Sequence, residues 1–287
     1  MTSADLAEPI TGGQLEEHMS TIAVTGAGSG MGAALAARLR AQGHTVIGVD
    51  LKNADVTADL GVPEGRAHAV AEITRRSGGR LDGLLPFAGI AGGAGRPSSL
   101  LVSVNYYGAI RLLEGLRPAL AAAGTSSVVL ASSNSTTTQP NWPEHVAAAC
   151  LAGDETEARR VADEAGAQDG GIGAYPATKA ALAWYARTRA ADHQADGIRL
   201  NAVAPGYIDT PMTRAAAEDP TTAEGIRQFL ASIPAGRAGR PEEIADLVEF
   251  LLSPKSAYCV GSVFCADGGL DAQLRGTDWP KVWHPEA

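Results

Sequence analysis

The chain has 287 residues, 45% of them hydrophobic, and carries a formal net charge of −9 at pH 7. A chain of this length can bury a large core as a single α/β domain. The acidic balance excludes nucleic acid as a partner, since nucleic-acid binding draws most of its affinity from Lys and Arg at phosphates, and it excludes anionic membrane surfaces for the same reason.

The cysteines exclude further classes of protein. Cys150, Cys259 and Cys265 are odd in number and lack metal-ligand spacing, so we expect a reduced, cytoplasmic protein without a metal. No apolar run of about 18 residues occurs, which excludes a membrane-spanning helix. Residues 1–20 lack the basic start and apolar centre of a signal peptide. We expect a disordered leader there, with Met19 as an alternative translation start.

Short β-branched runs alternate with helical periodicity along most of the chain. Strands are predicted at 21–26, 44–50, 55–60, 81–89, 127–133, 197–206 and 261–269, and helices at 31–42, 65–78, 103–123, from 175 and from 241. Strands that alternate with helices pair in parallel through right-handed crossovers, with both sheet faces covered. The predicted fold is a single-domain α/β, doubly wound Rossmann-type parallel sheet over 21–270, followed by a C-terminal extension at 271–287.

Residues 134–173 do not follow this alternation. The segment 154–166 is typical of a helix, with Asp154 as N-cap and Glu157 three residues on. A shorter helix is predicted over 143–153. We interpret the whole segment as a helical insertion that packs on the domain.

The stretch TGAGSGMG at 25–32 places Gly26, Gly30 and Gly32 between the first strand and the first helix. Glycines let a turn approach a pyrophosphate closely, and the helix N-terminus favours that anion. Asp50 ends the second strand, where a carboxylate binds ribose hydroxyls and repels a 2′-phosphate. The pattern predicts NAD as the cofactor. An NADP site read by Lys52 or by an arginine of the insertion is the alternative.

Tyr175 and Lys179 lie four residues apart, on one face of a predicted helix. A phenol with a pKa near about 10 is a poor base at neutral pH. An ammonium beside it stabilises phenolate and lowers that pKa, so that the tyrosine can exchange protons near neutrality. The alternative is an ordinary surface pair.

Five segments in order resemble the short-chain dehydrogenase/reductase family over about residues 20 to 270: TGAGSGMG, SVNYYG (103–108), LASSNS (130–135), YPATK (175–179) and APGYIDT (204–210). The resemblance implies a Rossmann fold, hydride transfer and a homo-oligomer, either a dimer or a tetramer. It also implies roles for individual residues.

The implied cofactor-binding residues form three groups. The glycine turn contributes Gly26, Gly30 and Met31, and the adenosine side contributes Asp50, Asp59 and Leu60. The nicotinamide side contributes Ala88, Gly89, Tyr175, Lys179, Pro205, Gly206, Ile208 and Thr210. Pro86 and Phe87 depart from the family, which has two Asn residues there. This departure puts the side-chain bonds of the fourth strand in doubt.

The implied catalytic residues are Asn105, Ser133, Tyr175 and Lys179. The resemblance assigns Tyr175 as acid/base and Lys179 as its tuning cation. Asn105 holds a water next to the lysine. Of the adjacent serines only one can face the substrate, because neighbouring strand residues point opposite ways. Ser133 is favoured, and Ser132 is the alternative.

Within the family, the ADL triplet at 58–60, the SVNYYG segment and the Glu/Ala-rich insertion resemble bacterial hydroxysteroid dehydrogenases and carbonyl reductases. This implies a hydrophobic secondary alcohol or its ketone as substrate, alicyclic or steroidal. The segment 209–235 is expected to close over it. A non-enzymatic dinucleotide sensor is the alternative of another class.

Overall fold

The strands of the computed structural model follow the predicted pattern. They are β1 (Thr21–Thr25), β2 (Thr45–Asp50), β3 (Val56–Thr57), β4 (Gly83–Pro86), β5 (Ser126–Ala131), β6 (Ile198–Pro205) and β7 (Val263–Ala266). All pair in parallel in one sheet of order β3-β2-β1-β4-β5-β6-β7. The predicted Rossmann-type, single-domain fold is confirmed.

The structure describes residues 19–92, 95–169, 171–218 and 223–279. Residues 1–18 of the expected leader therefore lie outside the described residues. The C-terminal extension is described as far as Trp279.

Helices cover both faces of the sheet. They are α1 (Gly30–Ala41), α2 (Pro63–Arg76), α3 (Ser98–Leu101), α4 (Gly108–Ala121), α5 (Ser135–Thr138), α6 (Glu144–Ala152), α7 (Glu155–Asp169), α8 (Ala174–Gln194), α9 (Pro211–Glu218), α10 (Ala223–Ser232), α11 (Pro241–Leu252) and α12 (Leu270–Arg275). Val102–Tyr107, between α3 and α4, has the wider π-helical winding, and Pro254–Ser256 and Gly276–Asp278 are 3₁₀ turns.

Successive side chains of each strand enter two cores, one on each face of the sheet. Ile22 and Val24 of β1 pack with residues of α1 and α11, such as Leu35. Ala23 faces the other side, where α2, α4, α8 and the insertion supply a larger cluster that includes Leu113. The carboxyl ends of the strands meet at one edge, between these two layers.

The insertion forms α5, α6 and α7 and packs on the second face. Asp154 Oδ1 accepts a hydrogen bond from Glu157 N at 3.1 Å, so the predicted N-cap is confirmed. Val146 and Ala162 are fully buried in the larger cluster. An ion pair ties α7 to the domain: the Arg66 side chain on α2 is 5% exposed, and its Nη2 lies 2.8 Å from Glu155 Oε2.

One helix differs from the sequence-based prediction. The helix predicted over 103–123 begins at Ser98, and its winding widens at Val102–Tyr107. Ser103 and Asn105 are 0% and 1% exposed. Two buried polar residues inside a wide turn break the α-helical periodicity, so the pattern places the helix start too late.

We expect Glu155→Gln to lower the free energy of unfolding by about 3 kcal/mol, because it leaves the buried Arg66 guanidinium without its counter-charge. Urea unfolding followed by circular dichroism measures this. Glu164→Gln is the matched control, since Glu164 pairs with Arg160 on the exposed face of the same helix and surface pairs contribute little. Equal loss in both variants would contradict the expectation.

Candidate active site

The glycine turn lies between β1 and α1, where the sheet order reverses. Gly26 and Gly30 have φ values of +71° and +56°, a region that favours glycine. A Cβ at Gly26 would lie 2.9 Å from Ala88 N, and one at Gly32 would lie 2.2 Å from Gly26 O. Close backbone contact therefore requires glycine at these positions.

The start of α1 is suited to an anion. Its N-cap Ser29 makes no side-chain capping bond, and its first turn, which includes Met31, contains no acidic residue. The backbone N–H groups and the positive end of the helix dipole are thus not neutralised by side chains of this turn. These features fit a pyrophosphate, as predicted from the sequence.

Asp50 lies beside this turn, with its carboxylate held by two backbone N–H groups. Its Oδ2 accepts from Gly28 N at 2.9 Å, and its Oδ1 accepts from Leu51 N at 2.6 Å. A Cβ at Gly28 would lie 3.0 Å from Asp50 Oδ2 and 2.7 Å from Lys52 O. Gly28 was not among the predicted site residues, although it is the middle glycine of TGAGSG.

The loop after β4 is held without the polar side chains typical of the family. Thr25 Oγ1 accepts a hydrogen bond from Ala88 N at 3.0 Å, a contact that the sequence analysis also missed. Phe87 is 8% exposed and packs in the core with α1 and α11. Pro86 pairs with Thr25 in the β1–β4 register. Apolar packing and one threonine hydroxyl thus fix the first residues of this loop, up to Ala88.

Asn105, in the wide turn, joins the β4 loop to α8. Its Oδ1 accepts from Ile90 N at 2.8 Å, and its Nδ2 donates to Ile90 O at 3.0 Å and to Thr178 Oγ1 at 3.4 Å. A Cβ at Gly89 would lie 3.2 Å from Asn105 Oδ1 and 3.5 Å from Lys179 Nζ. The structure therefore brings Gly89, Asn105 and Lys179 together.

Tyr175 lies in the first turn of α8, opposite the end of β5. Its hydroxyl lies next to the Ser133 side chain. Lys179 Nζ lies 5.7 Å from the centroid of the Tyr175 ring and donates to Ala131 O at 2.7 Å. The hydroxyl of Ser132 points the other way and donates to Lys179 O at 2.8 Å. Of the two serines, Ser133 is the one that faces Tyr175.

Burial moves the pKa values of the two titratable groups in opposite directions. It lowers the pKa of Lys179 to about 8. It raises the pKa of Tyr175, and the hydrogen bond from Ser133 partly opposes this change. The predicted lowering of the tyrosine pKa is thus wrong for this arrangement. The ammonium lies over the ring and bonds to Ala131 O, whereas burial disfavours the phenolate.

The residues expected at the adenine side are split between surface and core. Asp59 is exposed, and its Oδ1 accepts from Gly61 N at 2.8 Å. The Leu60 side chain is 5% exposed and lies in the larger core. A Cβ at Gly108 would lie 3.2 Å from Leu60 Cβ. Any contact of Leu60 with a ligand would therefore be made by its backbone.

The segment after β6 approaches the glycine turn. A Cβ at Gly30 would lie 3.6 Å from Thr210 Cβ. Gly206 is in close contact with the residue that follows β7, because a Cβ there would lie 2.7 Å from Asp267 Cα. Pro205 O accepts from Asn134 N at 2.9 Å. The side chain of Ile208 is 4% exposed and packs in the core with α1 and α11.

No group of three or more His, Cys, Asp or Glu suited to a metal ion occurs within the described residues. In the same part of the chain, no helix is both long and apolar enough to cross a membrane.

Two family models match the chain. The NAD dependent epimerase/dehydratase family matches residues 22–206, and the enoyl-(acyl carrier protein) reductase model matches residues 161–271. Both matches cover parts of the sheet and the segments described above.

Individual relatives extend over nearly all of the chain. The 3-alpha-hydroxysteroid dehydrogenase/carbonyl reductase of Comamonas testosteroni is 38% identical over 91% of this chain and 100% of its own length. The crystal structure of the 3-alpha-hydroxysteroid dehydrogenase from Pseudomonas sp. B-0831 complexed with NADH has a TM-score of 0.82 and 42% identity, and covers 90% of this chain and 99% of its own.

A third relative is similar over a shorter stretch. The cis-4-hydroxycyclohexanecarboxylate dehydrogenase of Sinomonas cyclohexanicum is 42% identical over 98 residues, which is 34% of this chain and 37% of its own length. Together with the fold and the grouping of Ser133, Tyr175 and Lys179, these similarities identify the chain as a member of the short-chain dehydrogenase/reductase family of oxidoreductases, homologous to hydroxysteroid dehydrogenase.

Proposed function

We propose that this protein is an NAD(H)-dependent oxidoreductase that interconverts a hydrophobic secondary alcohol and its ketone. The observation that carries this proposal is the contact of Ser133 with the Tyr175 hydroxyl, with Lys179 at 5.7 Å from the tyrosine ring. A phenol, a hydroxyl and an ammonium beside a glycine turn can move a proton at an oxygen next to a bound dinucleotide.

The cofactor would be held by the glycine turn and by Asp50. The close backbone contacts of Gly26 and Gly32 and the start of α1 suit the pyrophosphate. The Asp50 carboxylate is fixed by Gly28 N and Leu51 N and keeps further lone pairs for the ribose hydroxyls. Its negative charge disfavours a 2′-phosphate, which supports NAD over NADP. When bound, the nicotinamide supplies or accepts a hydride.

Tyr175 performs the proton transfer. In alcohol oxidation its phenolate takes the hydroxyl proton of the substrate, and in ketone reduction its hydroxyl returns that proton to the substrate oxygen. Ser133 hydrogen-bonds the tyrosine hydroxyl and orients the substrate oxygen. The ammonium of Lys179 stabilises the phenolate that forms when Tyr175 gives up its proton. Asn105 holds the β4 loop beside this group through both hydrogen bonds to Ile90.

The substrate we propose is an alicyclic or steroidal secondary alcohol. Three large apolar side chains are exposed on segments near Tyr175 and Thr210: Ile172 (65%), Met212 (46%) and Phe229 (37%). Such side chains suit an apolar substrate body. The segment 209–235, which contains α9 and α10, would close over it. The names of the Comamonas and Sinomonas relatives, a hydroxysteroid and a hydroxycyclohexane enzyme, support this class.

We also propose a cytoplasmic homo-oligomer, either a dimer or a tetramer. Cys150, Cys259 and Cys265 are all free thiols, as expected for a reducing compartment. Size-exclusion chromatography with light scattering would measure the assembly.

Binding of NADH, with NADPH as a competitor, tests the proposal first. We expect NADH to bind with enhanced fluorescence and NADPH to compete weakly. Steroid and alicyclic alcohols would then be screened with NAD. Stronger binding of NADPH would contradict the role of Asp50 and indicate an NADP-linked carbonyl reductase. Absence of binding by both would contradict the oxidoreductase proposal.

Tyr175→Phe should lower kcat by roughly a hundredfold or more, because the general acid/base is lost, while NADH binding is kept. Steady-state kinetics and fluorescence titration measure the two quantities. Tyr258→Phe is the matched control, since the Tyr258 side chain is fully exposed. A kcat near that of the control would contradict the mechanism.

Asp50→Asn should relax the preference between cofactors. Removing the negative charge should lower the ratio of kcat/KM for NAD over NADP by roughly tenfold, the equivalent of about 1.4 kcal/mol. An unchanged ratio would argue against the assignment of Asp50 to the ribose.

The pH profile of ketone reduction should show the titration of Lys179. Burial lowers the pKa of this lysine to about 8, so its ammonium is present below that pH and is lost as the pH rises through it. We expect kcat/KM to fall above about pH 8. In Lys179→Arg the residual activity should keep its plateau to higher pH, since guanidinium does not titrate in this range. If the inflection of the pH profile stayed at the same pH in Lys179→Arg, it would belong to another titratable group.

A further inference from the structure

Two polar contacts join α7 of the insertion to the helical segment Ser98–Tyr107. Asp163 Oδ1 accepts a hydrogen bond from Ser99 N at 2.8 Å. Four residues earlier on α7, Arg159 Nη1 donates to Ser103 Oγ at 2.8 Å. Residue 163 thus lies opposite residue 99, and residue 159 opposite residue 103. The two elements run antiparallel, and we call this pair of contacts the α7 ladder.

Small residues bring α7 close enough for these contacts. Ala158 and Ala162 are fully buried. A Cβ at Gly166 would lie 2.3 Å from Ser98 Oγ. Because the two backbones pack so closely, the ladder holds them in one register.

The ladder ends inside the wide turn that carries Asn105. Ser103 has no exposed surface and lies two residues before Asn105. A π-helical turn is rarer than α-helical winding, and it persists where its surroundings determine it. Relaxation to α-helical winding would shift the following residues by one position, a rotation of about 100°. The Asn105 side chain would then leave the peptide of Ile90.

We propose that Arg159 and Asp163 are positioning residues, which hold Asn105 against Ile90 and so beside Lys179. The catalytic consequence rests on the proposed function. The insertion then supports the active site without touching substrate or cofactor, through the backbone of Ser99 and the hydroxyl of Ser103.

The amide of Ile90 reports the position of Asn105, because its N–H donates to Asn105 Oδ1 at 2.8 Å. In Arg159→Met we expect this amide to exchange with solvent roughly tenfold faster than in the wild type. Arg160→Met is the matched control. It removes the same charge from the next residue, which pairs with Glu157 and Glu164 on the exposed face.

Ser103→Ala removes only one oxygen, the acceptor of the hydrogen bond from Arg159. It replaces Arg159→Met in the experiment if that variant folds poorly. It should match Arg159→Met, and the double variant should be no worse than either single one. Asp163→Asn keeps an acceptor for Ser99 N and should preserve Ile90 protection. Asp163→Leu should lose that protection.

Turnover gives the second readout. In Arg159→Met and Asp163→Leu, kcat should fall roughly tenfold to a hundredfold, as expected for a small displacement of catalytic groups. Binding of NADH should stay at the value of Arg160→Met. Activity in Asp163→Asn should stay close to that of the wild type.

The outcomes separate this inference from the proposed function. Ile90 exchange equal in Arg159→Met and Arg160→Met would overturn the inference. Faster Ile90 exchange with kcat equal to that of the control would also overturn it, since the ladder would then be structural only. If the wild type turned over no alcohol or ketone, the proposed function would fail. The exchange of Ile90 would still decide whether the ladder positions Asn105.

Discussion

The reversal of strand order at β1 is the constraint on which the site depends. Connections leave β1 and β4 toward opposite faces of the sheet, so a crevice opens at their carboxyl ends. Gly26 and Ala88 meet at its floor, at a separation that admits no side chain at residue 26. Asp50 ends the strand on one side, and Ser133 follows β5 on the other. The crevice therefore combines a glycine turn suited to an anion with groups that can transfer a proton.

Around this crevice, three buried polar side chains have hydrogen-bond partners. Asn105 bonds to the peptide of Ile90, Lys179 to Ala131 O, and Ser132 to Lys179 O. Such pairing offsets much of the cost of removing these groups from water. Burial still disfavours the charged forms: it brings the pKa of Lys179 down to about 8 and raises the pKa of Tyr175.

The sequence predicted those features that depend on local pattern. Strand and helix alternation, the glycine turn, Asp154 as N-cap and the helical insertion all follow from propensity and spacing, and the structure confirms them. The prediction of a lowered pKa for Tyr175 was wrong, because that pKa depends on burial and on where the Lys179 ammonium lies. Contacts between distant segments, such as that of Gly28 with Asp50, have no local signature beyond the glycine itself.

Side-chain direction was a further limit on prediction. The motif positions of Leu60 and Ile208 suggest ligand contacts, yet both side chains pack in the two cores. A motif fixes where the backbone passes, whereas the alternation of the sheet and its flanking loops fixes which way each side chain points. For these two residues, the assigned contacts with the cofactor stay predictions about the backbone.

The wide turn at Asn105 shows why an insertion can matter to a site that it does not enter. Three separate segments meet there: the β4 loop through Ile90, α8 through Thr178, and α7 through Ser103. Each supplies a hydrogen bond to a buried group, and a buried group left without its partner is costly. The winding is therefore determined by all three together. A change on the far side of the insertion acts on Asn105 only if it alters the register of α7, which the close packing of Gly166 against Ser98 holds in place.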